Sequence, residues 1–397
     1  MDSAEGRVST VRDGLAYGPI YLDYNATTPI DPAATTAMLP FLGGAFGNPS
    51  SDHHYGVVPR SALQRAREQV ATLVGAPDAL VVFTGSGSEA DNLALRGVAL
   101  ASGWDRPRIV TQCTEHPAIL RTCQALSRWH GVEVTYLPVS HDGLVDPADL
   151  DAALSEETVL VSIMLANNET GALQPVDELA QITHRHGALF HCDAAQAAGK
   201  IPIEATRLGV DLLTVVGHKM YAPKGIAALC LRPGLPLEPL IYGGGQEHGL
   251  RAGTENVALA VALGAAAQVA THELAAAGHH RIRRLRDHLH GQLSAGLPGR
   301  VLLNGPVEAR LPNTLNVSIP GTTGHELLAA VPEIAASTGS ACHSGDHEPS
   351  PVLAAMGFDA DRSLSALRLS LGRWSTRAEL DRAAELIVAA ARSHARY

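Results

Sequence analysis

Lysine is almost missing from this chain. Of 30 basic side chains only Lys200, Lys219 and Lys224 are lysines, and the rest are arginines. Any chemistry that needs a primary amine therefore has three candidates, two of them in the segment His218-Lys219-Met220-Tyr221-Ala222-Pro223-Lys224-Gly225. Basic charge as a whole is also scarce. Against 40 acidic residues it leaves a net charge of −10, without the basic surplus or stripe that a phosphate-backbone binder carries, so nucleic acid is not an expected partner. Cysteine is sparse and odd in number, five in 397 residues, which argues against a disulfide framework and for a reducing compartment, the cytoplasm. Long apolar runs are missing too. The most apolar stretch, Val257–Ala270, is broken by Gly264 and Gln268 and runs into Thr271-His272-Glu273, so no membrane span is expected. The first 20 residues lack a basic segment followed by an apolar one and read as a polar leader rather than a secretory signal. No repeat and no low-complexity linker interrupts the chain.

What is present is enough apolar residue, 46% of the chain, for an ordered globular protein, and enough length for about two domains at ~100–200 residues each. From Pro59 to Leu231 short apolar runs alternate with amphipathic ones. Leu80–Thr84, Arg108–Gln112, Glu133–Pro138, Val159–Leu165, Ala188–Cys192, Leu212–Val216 and Ala227–Leu231 read as strands. Pro59–Gly75, Ser88–Ala101, Pro117–Trp129, Pro147–Leu154 and Pro175–His186 read as helices. Such alternation implies an α/β fold with a mainly parallel central sheet flanked by helices on both faces. Beyond Gly253 the pattern changes to two long helices, Asn256–Ala277 and Arg281–Leu297. Short strands at Val301–Asn304 and Thr314–Ile319 and helices at His325–Ala330, Ser350–Met356 and Arg377–Arg392 follow, which reads as a smaller α+β domain. The expected division is 21–255 for the large domain, with 1–20 and 256–397 in the small one.

Three places carry chemistry. The loop Gly85-Ser86-Gly87-Ser88 joins a strand to a helix that Ser88 would cap, and a Gly/Ser loop at a helix N-terminus offers free N–H groups and a positive dipole end to an anion. Asp193 follows a predicted parallel strand, at the edge where α/β proteins bind ligands, with Gln196 three residues on. Lys219 follows another strand in a tight loop, a position suited to Schiff-base chemistry. A phosphate cradle, a carboxylate for a pyridinium nitrogen and an imine-forming lysine are the three parts of a pyridoxal phosphate site.

The ordered set of motifs around these places is specific. It includes Leu22-Asp23-Tyr24-Asn25-Ala26-Thr27-Thr28-Pro29, Gly47-Asn48-Pro49-Ser50-Ser51, Thr114-Glu115-His116 and Asn167-Asn168-Glu169-Thr170-Gly171. Asp193-Ala194-Ala195-Gln196, Gly217-His218-Lys219, Arg251-Ala252-Gly253-Thr254 and Gly339-Ser340-Ala341-Cys342 complete it. From Tyr21 to Arg392 the chain resembles the cysteine desulfurases and selenocysteine lyases of the class V aminotransferase family, whose fold is the type I fold of pyridoxal-phosphate-dependent transferases.

The resemblance implies roles. Lys219 would hold pyridoxal 5'-phosphate covalently and move the substrate Cα proton. Asp193 would pair with the ring nitrogen, Gln196 would bond the phenolic oxygen, and His116 would stack on the ring and exchange a proton with the substrate. Gly87, Ser88 and His218 would hold the phosphate, and Thr254 would reach the phosphate of a partner subunit, which implies a homodimer. Asn168 and Arg368 would take the substrate carboxylate. Cys342 would accept sulfur as a persulfide, converting L-cysteine to L-alanine and passing sulfur to an acceptor such as an iron–sulfur scaffold. Two departures stand out: Val216 where many desulfurases have a phosphate-binding hydroxyl, and His343 where a threonine usually follows the cysteine. Both lean toward the alternative, a lyase that releases selenium from L-selenocysteine, whereas the loop length from Cys342 to Pro349 leans toward desulfurases. A third reading, an inactive sulfur-carrier or scaffold partner, is opposed by the presence of Lys219, Asp193 and Cys342. Cys113, Cys123, Cys192 and Cys230 read as core residues. The close groups His53/His54, His184/His186, His279/His280 and Cys342-His343…His347 lack zinc-site spacing, and the histidines read as surface or loop residues, so no metal is expected.

Overall fold

The computed structural model describes residue 15, residues 18–339 and residues 348–394. Its strands in chain order are β1 (Ile20–Tyr21), β2 (Leu80–Thr84), β3 (Arg108–Gln112), β4 (Glu133–Leu137), β5 (Thr158–Ser162), β6 (Leu189–Asp193), β7 (Leu212–Val216), β8 (Ala227–Leu231), β9 (Leu302–Leu303), β10 (Thr314–Ser318), β11 (Ile334–Ala335) and β12 (Ala366–Ser370). Seven of them form one sheet in the order β2-β8-β7-β6-β5-β3-β4. Pairing is parallel from β7 through β6, β5 and β3 to β4, and β8 alone runs antiparallel, between β2 and β7. The C-terminal ends of β2, β3, β5, β6 and β7 therefore lie along one edge of the sheet.

Both faces of this sheet are buried, as near-continuous apolar strands require. Side chains alternate between two cores. Val81, Val161, Phe190, Leu213 and Cys230 face one, and Val82, Leu160, Leu212 and Leu229 face the other. Each fully buried aliphatic side chain of this kind contributes roughly 1.5–3 kcal/mol relative to exposure. The second core is closed by helices Gly87–Ala101 and Pro117–His130. Helices His54–Leu73, Val176–Arg185 and Val257–Ala275 close the first. Val257–Ala275 is long and apolar enough to cross a bilayer. Its Ala260, Leu263, Ala266 and Ala267 are instead buried in the first core, and a Cβ on Gly264 would sit 2.7 Å from the Cα of Ala66 on the neighbouring helix.

A third core belongs to the antiparallel sheet β12-β10-β9, covered by helices Gly278–Gly296 and Arg377–His394. Leu22 is buried in it, and β1 pairs in parallel with β11. The N-terminal strand thus packs with the C-terminal part. The helix that begins just after the expected boundary at residue 255 shares its core with the large sheet.

Some boundaries differ from expectation. The helix expected from Pro59 starts at His54 and carries Pro59 within it. Proline lacks only one N–H there, so the interruption is local and the apolar face continues through it. Ser86, not Ser88, is the cap of the helix Gly87–Ala101: it is extended (φ −166°, ψ 164°) and its hydroxyl accepts from Glu89 N–H. Glu89 Oε2 in turn accepts from Gly85 N–H at 2.8 Å, a variant of the reciprocal capping box. Ser88 is thereby freed from capping. Asp193 is the last residue of β6 rather than the residue after it.

Candidate active site

A cavity of about 250 Å³ opens at the C-terminal edge of the large sheet. The turn after β2 brings Gly87 and Ser88 to it, the turn after β3 brings His116, and the chain after β5 brings Asn168. Asp193 ends β6, Gln196 lies three residues on, and His218 and Lys219 follow β7. Arg368 reaches in from β12 of the smaller sheet. Thr254 is exposed and does not line this cavity. Cys342 and His343 lie outside the described residues.

Lys219 Nζ donates to the carbonyl oxygens of Asn25 (2.6 Å) and Ala26 (3.1 Å). Burial first, then the positive charge of Arg368, brings its amine down from the usual lysine range to about 8. A primary amine with that value exchanges protons near neutral pH. Asp193 is 7% exposed, and its Oδ1 accepts from Ala195 N–H at 2.8 Å. Burial raises its carboxyl, while that N–H, the His116 imidazole when protonated, and the Lys219 amine oppose the rise. His116 caps the helix Pro117–His130 by accepting Ala118 N–H on Nδ1 (3.1 Å). Acceptance at Nδ1 selects the neutral ring with its proton on Nε2, and burial lowers its pKa in the same sense.

Gly87 and Val216 explain one another. A Cβ on Gly87 would fall 2.5 Å from Val216 Cγ2, so the valine packs directly under the first residue of the helix. Val216 thus supplies an apolar contact that seats the helix N-terminus, and Gly87 and Ser88 line the cavity beside it. His218 Nδ1 lies 3.2 Å from Thr27 Oγ1, and burial takes its imidazole down to about 4. Arg368, on the opposite wall, donates to Asp23 Oδ1 (2.8 Å) and Asn168 O (3.2 Å) and keeps Nε without a protein partner. Its planar fork suits a carboxylate.

Sequence reasoning gave no role to several residues that the structure places here. Asn25 connects most of the site. Its carbonyl accepts from Lys219 and Gln196, its Oδ1 from Lys200 and Asn313, and its Nδ2 donates to Asn168 O and Thr314 Oγ1. Asp91, one helical turn past Ser88, also lines the cavity; its Oδ1 makes no hydrogen bond and lies 3.9 Å from His191 Nε2, and burial and Asp193 raise its pKa. Glu115 is buried beside His116, where burial lifts its carboxyl to about 8. Asn25 and Glu115 lie in quoted motifs, and the only signal for Asp91 was its place three residues past Ser88. Of the histidine pairs, His184 and His186 bond Asp211 and Asp151. Among the described residues no three metal-binding side chains gather.

An amine, a buried carboxylate and a helix N-terminus thus converge at the carboxyl edge of a parallel sheet, an arrangement shared by many proteins of one class. The chain belongs to the class V aminotransferase family, which matches residues 20–383. It is 46% identical over 373 residues to cysteine desulfurase IscS of Anaeromyxobacter sp. (strain Fw109-5), covering 93% of this chain and 92% of that protein. It is 44% identical over 370 residues to the mitochondrial cysteine desulfurase of Drosophila melanogaster, covering 92% and 79% respectively. Among solved structures, a NifS-like protein superposes with a TM-score of 0.86 at 36% identity over 94% of this chain and 98% of that one.

Proposed function

We propose that the chain is a pyridoxal-phosphate-dependent cysteine desulfurase, converting L-cysteine to L-alanine with a persulfide on Cys342. The observation that carries this reading is the convergence of Lys219, Asp193 and the Gly87–Ser88 helix start in one cavity, faced by Arg368. That similar proteins carry the name cysteine desulfurase supports cysteine as the substrate. The residues fit the cofactor. A site without a Cβ at Gly87 leaves helix N–H groups and the Ser88 hydroxyl for a phosphate, with His218 beside them. The buried Asp193 carboxylate suits a cationic ring nitrogen, and His116 supplies a flat face. When bound, pyridoxal phosphate supplies an electron sink for the pair left at the substrate Cα.

The chain's own groups do the rest. Lys219 Nζ holds the cofactor and then moves the Cα proton, a task that its lowered pKa permits. Asp193 holds the ring-nitrogen proton in place. His116 Nε2, whose proton is set by the Nδ1 cap, exchanges a proton with the substrate side chain. Arg368, held by Asp23, fixes the substrate carboxylate with Asn168 beside it. The Cys342 thiolate attacks the substrate sulfur, so that the S–S bond of the persulfide forms as the Cβ–S bond breaks and its electron pair stays with the carbon skeleton, which is protonated to alanine; the outer sulfur then passes to an acceptor protein such as an iron–sulfur scaffold.

We read the enzyme as a homodimer in which Thr254 serves the partner's phosphate. Its exposure away from its own cavity fits that role, as do the exposed Phe46 and Tyr55, whose rings stack 5.5 Å apart. The division into a cofactor-binding part and a smaller part is part of the same reading, as is a cytoplasmic location, which suits the unpaired Cys113, Cys123, Cys192 and Cys230. The test is a steady-state comparison of L-cysteine and L-selenocysteine with alanine as the common product. Turnover of cysteine with a visible cofactor absorbance band supports the proposal. Turnover of selenocysteine alone makes the protein a selenocysteine lyase. Neither substrate turning over, with no band, removes the proposal altogether.

A further inference from the structure

Lys200 stands behind the cavity, not in it. Its Nζ donates to Gln196 Oε1 at 2.7 Å and to Asn25 Oδ1 at 2.9 Å. On the other arm of the Gln196 amide, Nε2 donates to the Asn25 carbonyl at 3.0 Å. A carbonyl oxygen can only accept, so the arm facing it is the nitrogen, and the arm facing Lys200 is the oxygen. The amide orientation, often ambiguous because oxygen and nitrogen look alike, is fixed here from both sides. Gln196 is left with one further N–H for the cavity that it lines.

No acidic side chain is paired with Lys200 among the described residues, and the nearby charges that act on it are the cations Lys219 and Arg368. A lysine kept for fold stability alone would gain more from a carboxylate at the surface than from two amide oxygens beside two cations. The chain also uses arginine for nearly every other basic position, so one of its three lysines stands where a compact head must reach two oxygens at once.

We propose that Lys200 is a positioning residue: it clamps Gln196 so that an amide N–H, held rigidly, meets the acceptor oxygen of the group bound in the cavity. This rests on the cofactor reading above, in which that acceptor is the phenolic oxygen of pyridoxal phosphate. Without Lys200, Gln196 keeps only its bond to the Asn25 carbonyl and can turn about its last torsion. The acceptor then loses a preorganised donor and its negative form becomes more basic.

The experiment is a pH titration of the visible absorbance band of the holoenzyme without substrate, in wild type, Lys200→Met, Gln196→Ala and the double variant. Lys219, Asp193, Asp91, His116, His218 and Arg368 also face the cavity and remain in every protein, so their influence cancels in the comparison. Lys200→Met should move the midpoint to higher pH by about half a unit to one unit, a three- to tenfold change in proton affinity. In the Gln196→Ala background the same substitution should add nothing, because Lys200 acts through Gln196. Lys200→Gln, which keeps an N–H donor on a shorter stem, should shift it less, and it carries the same comparison if Lys200→Met does not fold. A wild-type midpoint in Lys200→Met, or a shift that persists in full without Gln196, overturns the inference. Absence of any band in the wild-type protein overturns the cofactor reading first.

Discussion

Asp193→Asn isolates the charge at the proposed ring-nitrogen position from everything around it. The carboxylate is 7% exposed and anchored by Ala195 N–H on Oδ1 at 2.8 Å. Asparagine keeps an oxygen for that bond and nearly the same volume, so the backbone turn after β6 is preserved. The negative charge is what is lost. Two unit charges about 4 Å apart at an effective dielectric of about 20 interact by about 4 kcal/mol. Removing a preorganised group at a site of developing charge typically costs about 10²–10³ in kcat. A fall in kcat of at least about 10²-fold is therefore expected. Cofactor affinity should change less than about tenfold, because the helix N-terminus and Lys219 are untouched. The assay is alanine formation from L-cysteine at saturating pyridoxal phosphate, with the absorbance band confirming occupancy. A kcat within about threefold of wild type, less than 1 kcal/mol of barrier, would show that Asp193 does not meet the ring nitrogen.

The remaining expectations are local. Gly87→Ala places a Cβ 2.5 Å from Val216 Cγ2; overpacking of this kind costs about 1–3 kcal/mol, so cofactor affinity should drop about tenfold, and adding Val216→Ala should restore most of it. Failure of that rescue in an equilibrium titration refutes the packing argument. Lys219, brought down to about 8 in the folded chain, has an unfolded value of about 10.4. Between those values the unfolded chain holds a proton that the native one has released, so stability rises with pH. The Tm of the wild-type apoprotein should therefore climb relative to Lys219→Met across that window, and a constant difference refutes the lowered value. Cys342→Ala should abolish alanine formation from cysteine but retain a measurable part on selenocysteine, since a selenol leaves more easily than a thiol. Alkylation and peptide mass spectrometry should find the persulfide on Cys342. Burial pushes the Cys123 and Cys230 thiols up to about 12, so a persulfide there instead would sink the mechanism.

Periodicity located the large sheet well, because strands buried on both faces write themselves as unbroken apolar runs. β2, β3, β7 and β8 begin and end where the sequence places them. It failed where polar residues serve the site. β12 reads Ala-Leu-Arg-Leu-Ser and entered only through Arg368 and the role that the resemblance implies for it, because Arg368 and Ser370 face polar partners near the cavity while Leu367 and Leu369 fill the third core. The short helix Pro32–Met38 carries no strong apolar stripe, although Asp31 caps it and Pro32 opens it. Among site residues, those at strand ends were within reach of the strand–loop–helix pattern. Asn25 and Lys200 were not, since their value lies in contacts across 171 and 175 residues that no local spacing encodes.

Asp23 and Asn25 are separated by a single residue. The first grips Arg368, on the wall proposed to receive substrate, and the second lends its carbonyl to Lys219, on the wall proposed to do the chemistry. Tyr24, between them, is buried, and its N–H bonds Ser370 O at 3.3 Å. A stretch this short has almost no slack: an extended chain covers only ~3.3–3.6 Å per residue. Three consecutive residues near the start of the chain thus tie the wall that holds Arg368 to the wall that holds Lys219.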